Sequence, residues 1–533
     1  MKNILKVSTL ASLSFLFLLG CGSDSSDAPL TNGNDVPTYT AGVYEDESNF
    51  KNLCQSPRNF NDINGDPYPD RQGSTLHENH WLRSWSNRTY LWYDELPDLN
   101  PGNYSDPIAF FDLLKTDAVT QSGNPKDNFH FTIDTSDYEQ STQAGISVGY
   151  GIDWLLTSST PPRELYIRFI EPNSPADAPA LNLTRGVQVL EIDGVSVETG
   201  SSQSEVDTLN AGLFPSSDGE SHTFTVLDIG SNQSRQVTLS ATEVTSDPVP
   251  IVDTFSTNNG TVGYIHFNDH NFVSEDELFN AVTTLSNQNV DDLILDLRYN
   301  GGGYLYIASQ LSYMIAGANA TSGRTFEQIR FNDKYPNTNP ITGSTLQPTP
   351  FYNVTSQYSS ERAEGVSLPQ LNLSRVFILS TSRTCSASEA IINGLRGIDV
   401  EVILIGDTTC GKPYGFYATD NCGTTYFTIQ FDGVNDKGSG GYSDGFSPMN
   451  TSGTVGELVT GCSVEDNLDF ALGNSQEPMV AAALSYRETG SCPTVAQSQK
   501  SFVPSFTKQH NKGASLKVER DFNQKIYLDP FKD

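Results

Sequence analysis

The sequence is short of basic residues. Its 533 residues include 31 Lys and Arg against 64 Asp and Glu, which gives a formal net charge of −33. Nucleic-acid binding relies on clustered Lys and Arg that displace counterions from phosphates, so this composition argues against a nucleic-acid partner. Strong negative charge keeps a protein soluble and repels anionic partners, but it does not identify a substrate.

Long apolar runs are also missing. The apolar run that ends at Leu19 is shorter than the about 20 residues that a membrane-spanning helix needs. Two lysines precede it, a pattern typical of a cleaved export signal over residues 1–20. The ending LLGC resembles the lipobox of bacterial lipoproteins. That resemblance implies cleavage before Cys21, lipidation of Cys21 and, because Gly22 follows, placement at the outer membrane facing the periplasm.

Cysteine is scarce, and Cys-x-x-Cys pairs are absent, which argues against zinc or thioredoxin-type chemistry. We expect no metal and no organic cofactor. Without Cys21, six cysteines remain, an even number of the kind that forms disulfides in an oxidising compartment. Spacing alone does not fix the pairing. Cys410 with Cys422 is the most local candidate pair, and Cys462 with Cys492 is the next.

Composition and pattern divide the chain into segments of different character. With 36% hydrophobic and 10% aromatic residues, the chain can form packed cores. Residues 21–45 are rich in Ser, Asp, Asn, Gly and Pro, which predicts a flexible tether. Residues 46–140 carry aromatic and aliphatic side chains at helical spacing, which predicts an N-terminal helical domain. Residues 497–533 lack a clear period and are predicted to be a peripheral tail.

Residues 141–245 contain short strand-like runs separated by turns. Their spacing resembles that of a PDZ domain, a module that binds the free carboxylate of a peptide and adds the peptide as an extra strand. Gly149, Tyr150, Gly151 and Ile152 match the Gly-Φ-Gly-Φ loop of that family. The resemblance implies that backbone N–H groups of this loop bind the carboxylate.

Residues 246–496 alternate strand and helix patterns, as in an α/β core. We predict buried strands over 293–297, 376–380 and 401–406, and a helix over 386–396. The glycine run 301–303 follows the first of these strands.

Four motifs of this core, VGYIHF, DLRYNGGG, TCSASEA and GDTTCGKPYG, stand in the order and rough spacing of the carboxyl-terminal processing peptidases. The chain resembles that family of tail-specific Ser/Lys proteases over about residues 75–485. The resemblance implies an α/β (α+β multidomain) protein: a ClpP/crotonase-like α/β protease core with an N-terminal helical domain and an inserted PDZ domain. It also implies that Ser386 is the nucleophile and Lys412 its general base.

The chemistry of these residue types agrees with the implied roles. A serine hydroxyl is a poor nucleophile until a base takes its proton, and a lysine amine can serve if burial lowers its pKa from about 10.4. Ser386 would open a helix, where N–H groups and the helix dipole favour a developing oxyanion. We expect the Ala387 N–H to be one oxyanion donor and Gly302 to supply the other.

A structural role is the main alternative for both residues. Ser386 and Glu389 also match a capping box, and most serines in that pattern only cap a helix. A lysine in a loop that contains Gly and Pro is usually a solvated surface residue. The glycine-rich turn and the position of Lys412 just after a buried strand favour the catalytic interpretation, because such groups converge at the strand ends of an α/β sheet.

The sequence departs from the family at several places. Pro413 and Phe416 stand where better-known members have Gly and an orienting Gln, so the group that orients the lysine is unassigned. Cys385, directly before the serine, is expected to form a structural bridge. His266 and His270 remain candidate bases, since tricorn-like relatives use a Ser–His arrangement.

From these features we expect a lipid-anchored serine endopeptidase that cleaves exported proteins near their free C-termini. Its partners would be protein or peptide substrates and, through the N-terminal lipid, a membrane. The alternatives are a catalytically silent PDZ peptide-binding lipoprotein and a hydrolase of small esters or amides on the same core. The sequence leaves the oligomeric state open.

Overall fold

The computed structural model describes residues 36–140, 145–453, 456–493, 516 and 524–528. The predicted signal peptide, Cys21, residues 21–35 of the tether and most of the predicted tail lie outside these ranges. Within the described ranges, no helix is both long enough and apolar enough to cross a membrane.

The N-terminal unit, residues 46–140, is built around one long helix. Trp81 and Trp85 on this helix stack with their ring centroids 5.0 Å apart and form a small apolar core with Phe110 and Phe111. The helices and strands of this unit are β1 (Leu53–Cys54), β2 (Arg71–Gln72), α1 (Thr75–Thr89), α2 (Pro107–Phe111), β3 (Phe131–Asp134) and α3 (Thr135–Glu139).

The groove unit, residues 145–245, is a small sheet with its own apolar core. Its elements are β4 (Ile146–Gly149), β5 (Ile152–Leu156), β6 (Leu165–Ile170), β7 (Gln188–Ile192), β8 (Val195–Ser196), α4 (Gln203–Leu213), β9 (Ser221–Leu227), β10 (Ser234–Ser240) and β11 (Thr242–Thr245). The main sheet has the strand order β10-β9-β7-β6-β5, and β8 pairs with β7. Strands β4 and β11 form a separate antiparallel ribbon that leads into the rest of the chain.

The core unit, residues 246–493, carries the largest sheet. Its first half contains β12 (Ile251–Thr257), β13 (Gly260–His266), α5 (Val273–Asn287), β14 (Asp292–Asp296), β15 (Gly302–Tyr304), α6 (Leu305–Ala316), α7 (Ala318–Thr321), β16 (Thr325–Arg330) and β17 (Thr349–Pro350). Its second half contains β18 (Arg375–Ser380), α8 (Ala387–Gly397), β19 (Glu401–Gly406), β20 (Tyr414–Gly415), β21 (Thr419–Asn421), β22 (Thr424–Phe427), β23 (Phe431–Val434), β24 (Phe446–Pro448), β25 (Glu457–Val459), β26 (Gly461–Ser463) and α9 (Pro478–Thr489).

The large sheet has the strand order β12-β13-β14-β18-β19-β26. Strand β12 is antiparallel to β13, and the remaining neighbours are parallel. Both faces are covered, as expected for a parallel sheet with continuous apolar strands. Residues such as Leu295 and Leu404 pack towards α5, α6 and α8, whereas their neighbours Ile294 and Ile403 pack towards α9.

The carboxyl ends of β14, β18 and β19 lie side by side. Chain segments 297–303, 381–386 and 407–412 leave the sheet there, and these segments contain the candidate catalytic residues. The edge where parallel strands end is the usual place for the site of an α/β sheet.

The predicted α/β multidomain class is confirmed, and two features of the structure were not expected from the sequence. The N-terminal unit is joined to the core, because β3 pairs antiparallel with β22 and Cys54 forms a disulfide with Cys422. The predicted peripheral tail also differs, because Gln524–Ile526 forms strand β27, which pairs parallel with β15. Ile526 is 3% exposed, so apolar burial places this end of the chain in the core.

Candidate active site

Ser386 lies at the start of α8. Its backbone has φ 63° and ψ −110°, a conformation that non-glycine residues rarely adopt and that costs of order 1–3 kcal/mol. The side chain is fully buried, and its Oγ has no hydrogen-bond partner among the described residues. Ser386 and Glu389 are arranged as a capping box, and the Ser386 hydroxyl lies at the N-terminal, positive end of the helix dipole.

Glu389, one turn into α8, connects the two candidate catalytic segments. It is fully buried, and its carboxylate accepts hydrogen bonds from Ser386 N–H at 2.8 Å, Lys412 N–H at 2.8 Å, Gly411 N–H at 2.9 Å and the Thr409 hydroxyl at 2.5 Å. Burial raises the pKa of this carboxyl above its usual value, and the hydrogen bonds oppose that shift. Since the Ser386 and Lys412 nitrogens contact the same oxygen, Oε2, one carboxylate brings both backbones together.

A disulfide joins the same two segments. Cys385, directly before the serine, is bonded to Cys410, and their Cα atoms are 5.2 Å apart. The sulfurs are bonded to each other, so they are not metal ligands beside Glu389. The structure therefore gives Cys385 the bridge that we expected.

The remaining disulfides are Cys54–Cys422 and Cys462–Cys492. The second is the predicted pairing, whereas the predicted Cys410–Cys422 bridge is not formed. Cys422 faces the N-terminal unit because that unit lies along the β21–β22 turn. Asn52 N–H, for example, donates to Asn421 Oδ1 at 2.8 Å.

Lys412 follows β19 and is fully buried. Its Nζ lies 4.0 Å from the ring centroid of Phe416 and 4.9 Å from that of Phe129. Phe416 thus contacts the amine through its ring face, in the position where the family resemblance expects a Gln. Phe129 comes from the N-terminal unit, so two units of the chain together enclose the amine.

The two predicted oxyanion donors differ in their hydrogen bonding. Ala387 is the first residue of α8, so its N–H has no acceptor within the helix. The Gly302 N–H instead donates to Asn300 Oδ1 at 2.9 Å. Gly302 and Gly303 have φ values of 107° and 133°, and a Cβ on Gly303 would lie 2.5 Å from the His270 carbonyl oxygen. The tight glycine turn therefore tolerates no side chain at position 303.

Asn300 organises the turn beside the serine. Its carbonyl accepts from Cys385 N–H and from the Ser388 hydroxyl, each at 3.1 Å. Its side-chain oxygen lies 3.0 Å from His270 Nδ1. The turn after β14, the serine segment and His270 are thus held by one asparagine.

The two candidate histidine bases are both buried. Burial lowers the pKa of His270 to about 3 and that of His266 to about 4, so both are neutral at physiological pH. Because His270 Nδ1 contacts two acceptors, Asn300 Oδ1 and Gly302 O at 3.1 Å, its proton is on Nδ1. His270 Nε2 has no partner among the described residues, whereas His266 makes ring contacts with Phe169 and Tyr299.

The predicted carboxylate-binding loop lies in the groove unit. Gly149, Tyr150, Gly151 and Ile152 line a cavity of about 310 Å³. The end of α4, the start of the segment after it, and Glu171 also line the cavity, together with residues of β4, β5, β6 and β11. Strand β5 is the last strand of the groove unit's main sheet, so it forms one edge of that sheet.

Residues 261–416 match the model of Peptidase family S41, and residues 77–129 match that of the Peptidase S41 N-terminal domain. The chain carries two domains of the S41 peptidase family. The predicted kinship is confirmed, and Ser386, Glu389 and Lys412 all lie within the larger S41 domain. These family matches support a peptidase.

Individual relatives are more distant. The carboxyl-terminal-processing protease of Picosynechococcus sp. is 26% identical over 248 residues, which is 45% of this chain, and the chain spans about half (49%) of that relative. A putative S41 protease from Bacteroides fragilis has a TM-score of 0.57 and 21% identity over 80% of this chain and 99% of its own. The photosystem II D1 C-terminal processing protease has a TM-score of 0.42 and 16% identity, over 77% and 100%. The Bacteroides match shows that the S41 fold is shared.

Three residues of this candidate active site were not predicted from the sequence. Glu389 was interpreted only as part of a capping box, although its spacing from Ser386 was visible. Asn300 stands directly before the glycine run, which was the available signal for it. Nothing in the sequence placed Phe129 beside Lys412, because the two are far apart in the chain.

Proposed function

We propose that this S41 protein is a serine endopeptidase in which Ser386 is the nucleophile and Lys412 the general base. The observation that carries the proposal is the Glu389 carboxylate, which accepts the backbone N–H groups of both residues on one oxygen. A base must be uncharged to take a proton, and full burial is the environment that favours an uncharged amine. The buried Ser386 hydroxyl at the start of α8 supports the same assignment.

In the proposed reaction, Lys412 Nζ takes the Ser386 hydroxyl proton while Oγ attacks the carbonyl carbon of the substrate peptide bond. The tetrahedral intermediate collapses by breaking the C–N bond, and Lys412 returns the proton to the leaving amine. Water then attacks the acyl-enzyme by the same route, which releases the carboxylic acid and restores Ser386.

The developing oxyanion requires N–H donors at the start of α8. The Ala387 N–H is the first donor in the proposal. Gly302 becomes the second when its N–H leaves Asn300 Oδ1, a change that the glycine turn permits because positive φ values cost glycine little.

The groove unit supports recognition of substrate C-termini. We propose that it is a PDZ domain and that the Gly149–Ile152 loop binds the terminal carboxylate through backbone N–H groups. The chain would be an exported lipoprotein, anchored through Cys21 at the outer membrane and facing the periplasm. Its partners would be exported proteins with free C-termini.

The test uses the soluble chain that begins after Cys21, at Gly22, and an unstructured protein substrate with a free or an amidated C-terminus. Intact-mass analysis should show cleavage by the wild type, weaker cleavage of the amidated form, and none by Ser386→Ala or Lys412→Ala. Ser312→Ala, a buried serine of α6, and Lys334→Ala, a lysine outside the site, are matched controls that should retain activity. Equal cleavage by all variants would disprove the dyad.

A second mechanism within the same function uses His270 as the base. Its support is the buried Nε2 without a partner among the described residues, and the Nδ1 proton held by Asn300 and Gly302. If His270→Gln loses all turnover while Lys412→Ala retains it, the base is His270. If Ser386→Ala keeps every property of the wild type, a silent peptide-binding protein is the better assignment.

A further inference from the structure

The C-terminal segment, residues 524–528, lies across the candidate active site. Strand β27 pairs parallel with β15, which places Gln524 opposite Gly302 and Ile526 opposite Tyr304. On its other side, Ile526 forms a bridge with Phe416, and Tyr527 N–H donates to the Phe416 carbonyl at 3.2 Å. The segment therefore fills the space between the strand of Gly302 and the residues that follow Lys412.

The same segment touches the element that begins after the serine. Strand β27 packs against α8 and against β20 as well as β15. These three elements carry or adjoin Ala387, Lys412 and Gly302, the proposed oxyanion donors and base. A peptide that delivers its carbonyl to Ser386 has to pass between the same elements.

Apolar side chains hold the segment in place. Ile526 is 3% exposed and belongs to the main apolar core with Tyr304 and Phe416. The Tyr527 ring lies 5.4 Å from the ring of Tyr417 and 6.3 Å from that of Phe431. Such alternate pockets beside backbone pairing are the usual means by which a sheet edge recognises an added strand.

The catalytic groups are closed to solvent while the segment is present. Ser386, Ala387 and Lys412 each have 0% exposure. A protein substrate cannot reach a hydroxyl with no accessible surface, so part of the structure must leave first. The segment is the natural candidate, because it is the last described part of the chain and is held by one short strand and a few side chains.

The tail has a second attachment on the groove unit. Leu516 is 3% exposed within the apolar core of that unit, and its N–H donates to the Ser159 carbonyl at 3.0 Å. Only seven residues separate Leu516 from β27. The tail thus contacts both the unit proposed to bind substrate ends and the proposed catalytic centre.

We propose that β15 is the edge on which a substrate chain adds as a parallel strand, with an apolar side chain in the Ile526 pocket, and that the C-terminal segment occupies this site as an internal competitor. The ligand class is an extended apolar peptide. The inference rests on the proposed function, since it identifies the substrate site of that reaction.

The first experiment compares the full mature chain with Ile526→Glu, which places a charge in an apolar pocket and so releases the segment. A tethered competitor acts at an effective concentration of about 1 mM, so release should raise kcat/KM on an unstructured protein by at least about tenfold. Val366→Glu, at an exposed apolar position, is the matched control and should change nothing. Tyr527→Ala is a milder second variant in case Ile526→Glu melts at a lower temperature.

A synthetic peptide of residues 524–533 provides the second readout. It should inhibit Ile526→Glu competitively, whereas the same peptide with glutamate at position 526 should not. Unchanged turnover in both variants at unchanged Tm, together with no inhibition, would overturn the proposal.

Binding to inactive protein separates this inference from the proposed function. The labelled peptide should bind Ser386→Ala/Ile526→Glu at least about tenfold more tightly than Ser386→Ala, by the same effective-concentration argument. If nothing cleaves but this difference is found, the strand site stands and the peptidase proposal fails. If cleavage is normal but the two proteins bind the peptide equally, the peptidase proposal stands and the strand site is wrong.

Discussion

Among single residues, Glu389 links the serine to the lysine. Its carboxylate is surrounded by N–H and O–H donors, and a hydrogen bond to a carboxylate contributes about 1.5–3 kcal/mol when the carboxylate is charged. A neutral amide cannot replace it, because one end of the amide is itself a donor. Glu389 is therefore a positioning residue that acts through the backbones of Ser386 and Lys412.

We expect Glu389→Gln to lower the free energy of unfolding by about 2–3 kcal/mol, since two donors would face an amide NH₂ group. The displaced dyad should lower kcat by about tenfold or more, with KM little changed. Denaturant unfolding and steady-state kinetics measure the two effects. Glu275→Gln is the control: Glu275 is also buried and accepts from Ser356 N–H at 2.6 Å, so it should lose stability without the loss in kcat.

We expect Glu171, which lines the groove cavity, to make peptide binding there depend on pH. Burial, followed by nearby carboxylates such as Asp247, raises its pKa to about 7, against one backbone hydrogen bond. Above pH 7 the ionised Glu171 would repel the carboxylate of a bound peptide, and below pH 7 the neutral form would not. Between pH 6 and pH 8 we expect peptide affinity to fall roughly three- to tenfold.

Fluorescence titration of Ser386→Ala with a free-carboxylate peptide measures this dependence. Glu171→Gln should bind equally well at both pH values. Glu191→Gln, on β7 outside the cavity lining, should keep the wild-type slope. A slope that survives in Glu171→Gln would assign the effect to another group.

Among elements, the segments after β18 and β19 depend on each other through the Cys385–Cys410 bridge. Its two cysteines are 25 residues apart, and those of Cys462–Cys492 are 30 apart. Loops of similar length give similar stabilisation, about 2–4 kcal/mol. The two bridges differ mainly in which chain segments they join.

We expect Cys385→Ala/Cys410→Ala and Cys462→Ala/Cys492→Ala to lose similar stability. Only the first pair should lose kcat, by about tenfold or more, because it alone holds the segments of Ser386 and Lys412. Thermal unfolding and turnover at a temperature where both variants are folded test this. Equal kcat values would show that Glu389 alone is sufficient to align the dyad.

The elements of the core also show which features of the fold can be predicted from the sequence. Buried strands and the helix after Ser386 were predictable, because continuous apolar runs end at recognisable turns. Local motifs can also mislead: Ser274 and Glu277 have the spacing of a capping box with Ser274 as the N-cap, but α5 begins at Val273, and Ser274 Oγ donates to the Asp269 carbonyl at 2.6 Å. Contacts between distant segments, such as Cys54 with Cys422 or Ile526 with Phe416, leave no local periodicity and were not predictable.

In the molecule as a whole, a buried ionic network couples the groove unit to the core. Asp466 lies between Arg185 of the groove unit, at 2.6 Å, and Arg298 of the core, at 2.8 Å. Burial opposes ionisation of Asp466, but the two guanidinium groups lower its pKa to about 2. Because the folded pKa lies below the ordinary value, this contribution to stability is present above about pH 4 and is lost as pH falls towards 2.

Asp466→Asn should lower the free energy of unfolding by about 3–5 kcal/mol at neutral pH, since it removes the carboxylate that pairs with buried Arg185 and one of the three that pair with Arg298. Asp228→Asn, which breaks the exposed pair with Arg235, should cost no more than about 1 kcal/mol. Denaturant unfolding of both variants provides the comparison. Equal losses would mean that the network does not couple the units.

The Cys54–Cys422 bridge determines what happens to the molecule when another protease cuts the chain. It closes a covalent ring that contains α1, the whole groove unit and the serine. A single cut in any exposed turn between the two cysteines opens this ring without dividing the protein. A nicked molecule therefore stays in one piece until the bridge is reduced, with Ser386 and Lys412 still on the same folded body.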